Sequence, residues 1–328
     1  MKVIQIQKYI NINSLNNLPE LILNLGRLMQ GDEKICLRTK EGFSFEQNGL
    51  FDILDILCRY YDYPHDNILI ETNNLNEKHD KYIIKEALFN YVLPHFNKEI
   101  LEPIYNGEKT LGMFIGRGTE ERIYAVLRLK RSPLHPHAIS SFNHDFEKSP
   151  IYSEVANCSE YADISVREIN KLGPYSDIDS VRSVPITYPI YLTDKIWRSV
   201  YEKIAVEVVC ETNTWHSSFF ITEKILRPMY YRRPFVVLGG CHYLKNLKNM
   251  GFRTFDDIFD NTYDVETGMV RIDHIFTMLE HTLFSINGKD LLEKCKSDIE
   301  HNYSLLMELS KKHYRISLEN PNYYADLS

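Results

Sequence analysis

The run from Val206 to Gly240, VEVVCETNTWHSSFFITEKILRPMYYRRPFVVLGG, constrains the fold of this chain more than any other stretch. It contains two short apolar segments, VEVVC and PFVVL. Both read as buried strands. The run therefore reads as strand, acidic turn, loop, helix, strand and glycine turn. The first strand ends on a carboxylate, Glu211, and the second on Gly239 and Gly240. Thr222 stands at the N-cap of the expected helix, with Glu223 and Lys224 in its first turn. Ligands of open α/β sheets bind outside the carboxyl ends of the strands. A helix start there favours an anion such as a diphosphate. Lys224 adds a full positive charge, and Glu223 is placed to accept from ribose hydroxyls. A cation in a first turn opposes the helix dipole, at a few tenths of a kcal/mol, which points to a bound anion.

The rest of the chain repeats the same alternation. Strands are expected over 2–10, 34–39 and 67–71, with helices over 18–29 and 49–61 whose apolar residues fall at helical spacing. A polar loop is expected over 72–77. Residues 94–110 have two prolines and little periodicity, and read as a linker. A second α/β unit then starts with a strand over 111–116, a helix over 121–130 and a strand over 137–142. Residues 149–193 are expected to hold one helix, around 162–172, and much loop. Helices follow over 193–202, 271–286 and 290–313. The expected domains are 1–105 and 106–328, with the C-terminal helix or tail crossing back to the first.

Composition excludes several classes. The net charge is −7, which does not suit a general nucleic-acid coat. The six cysteines have no C-x-x-C spacing, as expected of free thiols in a reducing compartment. No run of eighteen apolar residues and no signal-type N-terminus is present, so a cytoplasmic protein without a membrane span is expected, in a bacterium or an infected host cell.

The residues Glu211, Asn213, Thr222, Glu223, Lys224, Pro234 and Gly239 form a pattern that resembles the donor motif of α1,3-fucosyltransferase-like GT-B glycosyltransferases. The pattern is still more similar to glycosyltransferases of that kind in phages and large viruses. In the family an Asn directly follows the Glu, whereas here Thr212 intervenes, so the resemblance implies the class and not fucose. It implies two Rossmann-like domains facing across a cleft. It also implies a UDP- or GDP-sugar donor held by the C-terminal domain, no metal and no other cofactor. The acceptor would be a saccharide or another hydroxylated molecule.

Other candidates lie outside that motif. GRGTEER, Gly116 to Arg122, follows a strand and opens a helix, which places Arg117, and secondarily Arg122, toward a leaving diphosphate. His216, in the loop after Glu211, is a further possible donor residue, and so is Gly239, where backbone approaches a ligand. Glu71, at a strand end, is a weak candidate for the base that deprotonates the acceptor. Asp177 and Asp179 form a D-x-D, but in a loop-like segment, and no metal role is assigned to them. The acidic FDDIFDNTYD is expected to pack Phe255, Ile258 and Phe259 and to solvate its charges, because it lacks calcium-loop spacing. Two alternatives stay open. One is a phage-type transferase acting on a hydroxymethylated DNA base, with Arg117–Arg131 and Arg227, Arg232 and Arg233 forming a basic face. The other is a non-catalytic GT-B-like binding protein.

Overall fold

The computed structural model describes residues 1–6, 17–31, 33–39, 44–86, 93–116, 118–143, 175–178, 194–211 and 219–319. They fold as α/β in two compact units. The first comprises Met1–His95, Ser218–Thr222 and Lys312–Ser328, and the second Phe96–Ser217 and Glu223–Lys311.

The first unit is built on a parallel sheet of strands β1 (Lys2–Gln5), β2 (Ile35–Arg38), β3 (Ile68–Thr72) and β4 (Ile83–Glu86), in that order. Helices α1 (Leu18–Met29) and α2 (Leu50–Tyr61) connect the first three strands and pack against each other. Their apolar stripes, Leu21, Leu25 and Met29 on α1 and Leu50, Leu54 and Leu57 on α2, join Ile35, Leu37, Ile68 and Ile70 in one core. Each such side chain contributes about 1.5–3 kcal/mol on burial, so this core outweighs the hydrogen bonds at its rim. Strand β4 has no counterpart in the sequence expectations. Its four residues, IIKE, are too few to show a period, and Ile83 is exposed at the sheet edge.

Two buried or half-buried carboxylates fasten this unit. Asp55 on α2 accepts from Tyr82 Oη at 2.6 Å and from Lys81 Nζ, and pairs with His65 Nε2 at 3.2 Å. Burial alone would push its carboxyl up, but the Lys81 and Tyr82 hydrogen bonds and the Lys81 charge outweigh burial and hold it at about 2. The segment after β3 is more than a polar loop. Glu77 is buried there and accepts from Phe45 N at 3.1 Å, Glu46 N at 3.1 Å and Asn74 Nδ2 at 3.0 Å. Burial raises its carboxyl, against the pull of these donors. Asn74 Oδ1 accepts from Phe219 N at 3.1 Å, and Leu75 N donates to Phe219 O at 2.8 Å. These bonds hold the residues just before the Thr222 helix start to the first unit.

The second unit carries a mixed sheet in the order β7-β6-β5-β8-β9. Its strands are β5 (Leu111–Ile115), β6 (Ala138–Phe142), β7 (Tyr175–Ser176), β8 (Val206–Cys210) and β9 (Phe235–Leu238). All neighbours are parallel except β7, which runs antiparallel to β6. The helices are α3 (Glu120–Arg131), α4 (Asp194–Tyr201), α5 (Glu223–Tyr230), α6 (Tyr243–Asn249), α7 (Gly268–Ser285) and α8 (Gly288–Glu319). Helix α7 packs on α3, and α5 on β8 and β9. Strands β5, β6, β8 and β9 are buried along their whole length, which suits the unbroken apolar sequence of β9 and leaves Ser140 and Ser141 of β6 and Glu207 of β8 as buried polar side chains. The two-residue β7 and the seven-residue α6 were not expected, because neither is long enough to show a period. The expected helix around 162–172 lies outside the described residues.

A carboxylate of the middle of β8 is paired inside this core. Glu207 of β8 accepts from Tyr201 Oη and Arg227 Nη2, and Arg227 Nε donates to Tyr201 Oη at 3.1 Å. The Arg227 guanidinium also lies 3.9 Å from the Trp197 ring centroid. Arg233 is fully buried and donates to main-chain oxygens of Tyr201, Ile204, Arg232 and Pro103. Burial pulls its guanidinium down to about 10. Arg232 lies against the Tyr303 ring and pairs with Glu300 at 3.6 Å. The basic face expected from Arg227, Arg232 and Arg233 is therefore corrected. Arg227 and Arg233 face inward, because a tight turn in which Arg232 takes a φ of 53° ends α5 and leads straight into β9.

Candidate functional site

Strand order marks one place as the candidate site. From β5 the chain crosses to β6 on one side, and then returns to place β8 on the other side of β5. Neighbouring strands β5 and β8 thus lead in opposite directions from their carboxyl ends. A crevice opens at such a switch point, where ligands of open α/β sheets bind. Gly116 follows β5 there, and Glu211 follows β8.

Glu211 is held from several directions. Its N–H donates to Leu238 O at 2.9 Å, which extends the β8–β9 ladder by one residue. Arg122, buried on α3, donates from Nε to Glu211 O at 3.1 Å and from Nη2 to Cys210 O at 2.9 Å. The Glu211 carboxylate is itself buried, and its Oε1 accepts from Tyr243 Oη at 3.2 Å. Burial and the Glu211 charge raise the Tyr243 phenol well above its ordinary range, so the hydroxyl stays a donor.

Lys224 completes the cluster. Helix α5 starts at Glu223, directly after Thr222. The Lys224 ammonium stands 3.9 Å from Glu211 Oε2 and 3.4 Å from Glu223 Oε1. The first-turn cation is therefore offset by two carboxylates of the protein itself. The cation therefore has counter-charges within the protein as well as the place for a bound anion that the sequence pointed to. The pair of negative charges outweighs the opposing helix dipole, which acts as a fraction of one charge. The cluster carries two carboxylates and one ammonium, so it is equipped for hydroxyl groups as well as for phosphate oxygens.

Gly239 has a local structural reason. A Cβ placed on it would lie 2.8 Å from Cδ2 of the Tyr243 ring. Its carbonyl accepts from Arg271 Nη1, while Arg271 Nη2 donates to Asp264 O at 3.0 Å. Arg122 and Arg271 thus hold the carboxyl ends of β8 and β9. The start of α6 beside them is occupied by Asp264, which accepts from Leu244 N at 2.9 Å and Lys245 N at 3.1 Å. Within the acidic stretch, Phe255 and Phe259 are buried as expected, but Asp256 and Asp264 bind neighbouring groups rather than water alone.

The structure brings Glu211, Thr222, Glu223, Lys224, Arg122 and Gly239 to one end of the sheet or to the helix that starts there. Arg117, Asn213 and His216 lie outside the described residues. Glu71 belongs to the first unit, where Arg38 Nε donates to its Oε2 at 2.6 Å. Asp177 accepts from Ser140 N at 2.9 Å and Ser140 Oγ at 3.2 Å, which ties β7 to β6, and Asp179 lies outside the described residues. Tyr243 and Arg271 had no place in the sequence reasoning. The signal for Tyr243 was its position four residues after Gly239, where a missing side chain makes room for a ring. Arg271 had none, since its partners are main-chain oxygens.

Two clefts of the second unit lie away from the switch point. One, of about 540 Å³, is lined by Thr110 and His137, which precede β5 and β6, and by Phe284 and Asn287. The other, of about 630 Å³, lies on the far side of the α7–α8 turn, beside Asn287 and Glu293. Among the described residues no group of three or more His, Cys, Asp or Glu is arranged for a metal ion. The five described cysteines are free thiols. No described helix is long and apolar enough to cross a membrane. Compared with family models the chain has no match, and compared with curated proteins it has none of significant similarity.

Proposed function

We propose that this protein is a GT-B-type glycosyltransferase that moves a sugar from a nucleotide diphosphate sugar to an acceptor hydroxyl. The observation that carries this reading is the placement of Glu211, Glu223 and Lys224 together at the switch point of the second sheet. In the proposal Lys224, with the α5 dipole, takes the diphosphate, and Arg117 adds a forked pair of donors. Glu223 accepts from the ribose hydroxyls, and Glu211 contacts the donor nearby. Leaving-group charge is stabilised by these fixed cations and dipoles, which is why transfer is expected without a divalent metal. The first unit would supply the acceptor surface, with Glu71 as a base only if its Arg38 pairing is released on acceptor binding.

Thermal-shift and calorimetric titration with UDP, GDP, CMP and their sugars, in EDTA, tests the proposal. A nucleoside diphosphate at about 100 times its Kd should add about 2.7 kcal/mol of stability. Binding of none of these ligands would overturn the assignment. Turnover that vanishes in EDTA and returns with Mn²⁺ would overturn the metal-free mechanism.

A further inference from the structure

We infer that the cleft at the amino ends of β5 and β6 binds a small aromatic anion, a flat ring carrying a carboxylate or a phosphate ester. This end of the sheet is opposite the switch point, so the cleft is independent of the proposed donor site. Its volume is about 540 Å³. Small-molecule sites span about 300–1,000 Å³ and are mostly apolar, with a few placed polar groups.

The lining chemistry selects the ligand. Leu134 and Leu283, both buried, supply apolar surface. Tyr105, His137 and Phe284 supply aromatic surface, and the last two rings meet edge to face with centroids 6.3 Å apart. Phe284 is 58% exposed, a large ring that a flat ligand in the cleft would cover. Among the described residues that line the cleft, Lys289 carries the formal charge and none is a carboxylate. That balance selects an anion, in a chain with 45 acidic residues against 38 basic ones. The cleft on the other side of the α7–α8 turn has the opposite character, with Asp257, Asp290 and Glu293 in its lining. The main-chain N–H groups of Lys289 and Asp290 are already taken, since Asn287 Oδ1 accepts from them at 3.1 and 3.0 Å. The anion is therefore met by side chains, the Lys289 ammonium and an N–H of the His137 imidazole.

The walls are fixed before a ligand enters. Thr110 N donates to His137 O at 2.8 Å, and His137 N donates to Leu134 O at 2.9 Å. Tyr105 Oη donates to Lys109 O at 2.7 Å, and a Cβ on Gly288 would collide with that hydroxyl. A preformed cleft keeps the ordering cost of binding low.

Calorimetric titration with 2-naphthoate and phenyl phosphate, together with NMR of leucine methyl groups, tests the site. At least one of the two probes should saturate with a Kd at or below about 1 mM and shift the methyl signals of Leu134 and Leu283. Whichever binds more tightly shows which anion the cleft takes. 2-Naphthol, which lacks the charge, and acetate, which lacks the ring, should bind at least about tenfold more weakly. Phe284→Ala should weaken the bound probe about tenfold through the lost ring contact. Lys289→Glu should weaken it about fivefold or more through its charge. Both side chains are exposed, so both variants should fold. Lys224→Ala should leave 2-naphthoate binding unchanged, which separates this cleft from the donor site. Saturation by neither probe, unshifted Leu134 and Leu283 methyls, equal affinity for 2-naphthol, or wild-type affinity in both cleft variants overturns the site. So does a loss of 2-naphthoate binding in Lys224→Ala.

Discussion

Arg122 and Glu211, 89 positions apart in sequence, meet through a side chain and a main chain: the guanidinium of one donates to the carbonyl of the other at 3.1 Å. The same guanidinium donates to Cys210 O at 2.9 Å. The carboxyl end of β8 is therefore fixed by a residue from the helix after β5. Here the two sides of the switch point are joined by a charged hydrogen-bond donor instead of by packing alone.

Arg122→Met should cost roughly 2–5 kcal/mol, since two buried carbonyls lose their charged donor. Lysine at this position cannot span both oxygens and should restore only part of the loss. Urea denaturation measures it. A loss under about 0.5 kcal/mol, the range of an ordinary surface change, would mean that the contact does not hold the strand end.

Lys224→Ala should weaken nucleoside diphosphate binding by roughly 1.5–3 kcal/mol, the range for a hydrogen bond to a charged group. The sequence alone predicts that the free protein would be unharmed or slightly stabilised. The structure reverses that expectation, because removal takes away the ammonium that stands beside buried Glu211 and neighbouring Glu223. A loss of about 1–3 kcal/mol in the ligand-free protein is expected, below the full cost of breaking a deeply buried pair. Denaturation of the free variant and calorimetry with UDP and GDP read the two effects separately.

Asp55 makes the first unit sensitive to acid. Its carboxyl titrates at about 2 in the folded chain, and at about 3.9 when unfolded. Between those values the unfolded chain holds more protons, so stability rises with pH across this window. The contribution is fully present above about pH 4 and is lost as pH falls toward about 2. Asp55→Asn should flatten this part of the stability profile and leave the slope at neutral pH unchanged. Denaturation midpoints at several acid pH values, followed on a first-unit probe such as hydrogen exchange in α2, would show it. An unchanged acid slope in the variant would rule out the Asp55 contacts as its source.

Gly239→Ala should destabilise the fold by about 1–3 kcal/mol, as overpacking does, because the new methyl meets the Tyr243 ring at 2.8 Å. Gly116→Ala, where a Cβ would meet nothing within 4 Å, is the control and should be close to neutral. Thermal melting of both variants separates the two. If they behave alike, Gly239 is not required by the ring.

Local physics was written in the sequence. The largely apolar runs of β5, β8 and β9 read as buried strands, and they are. The stripes of α1 and α2 named the residues that fill the first core. Glu211, Thr222, Glu223 and Lys224 were legible because strand ends and helix starts are local events, fixed by a few neighbouring residues. What depended on residues distant in sequence was not legible. Arg227 and Arg233 looked like surface charge beside Arg232, yet one pairs with Glu207 and the other serves main-chain oxygens inside the core. Composition gives a charge but not its partner. The role of Lys224 changed for the same reason: its carboxylate neighbour Glu211 lies 13 positions away, and only the closing of α5 onto β8 brings them together. Tyr243 reached the site because β9 lies beside β8, a pairing set by the whole sheet. The sequence determined the longer strands and helices, since those are decided by periodicity and capping over a few residues, but not the short β4, β7 and α6. The tertiary structure decided which charges meet, since a carboxylate and a cation are paired by strand order and not by distance along the chain.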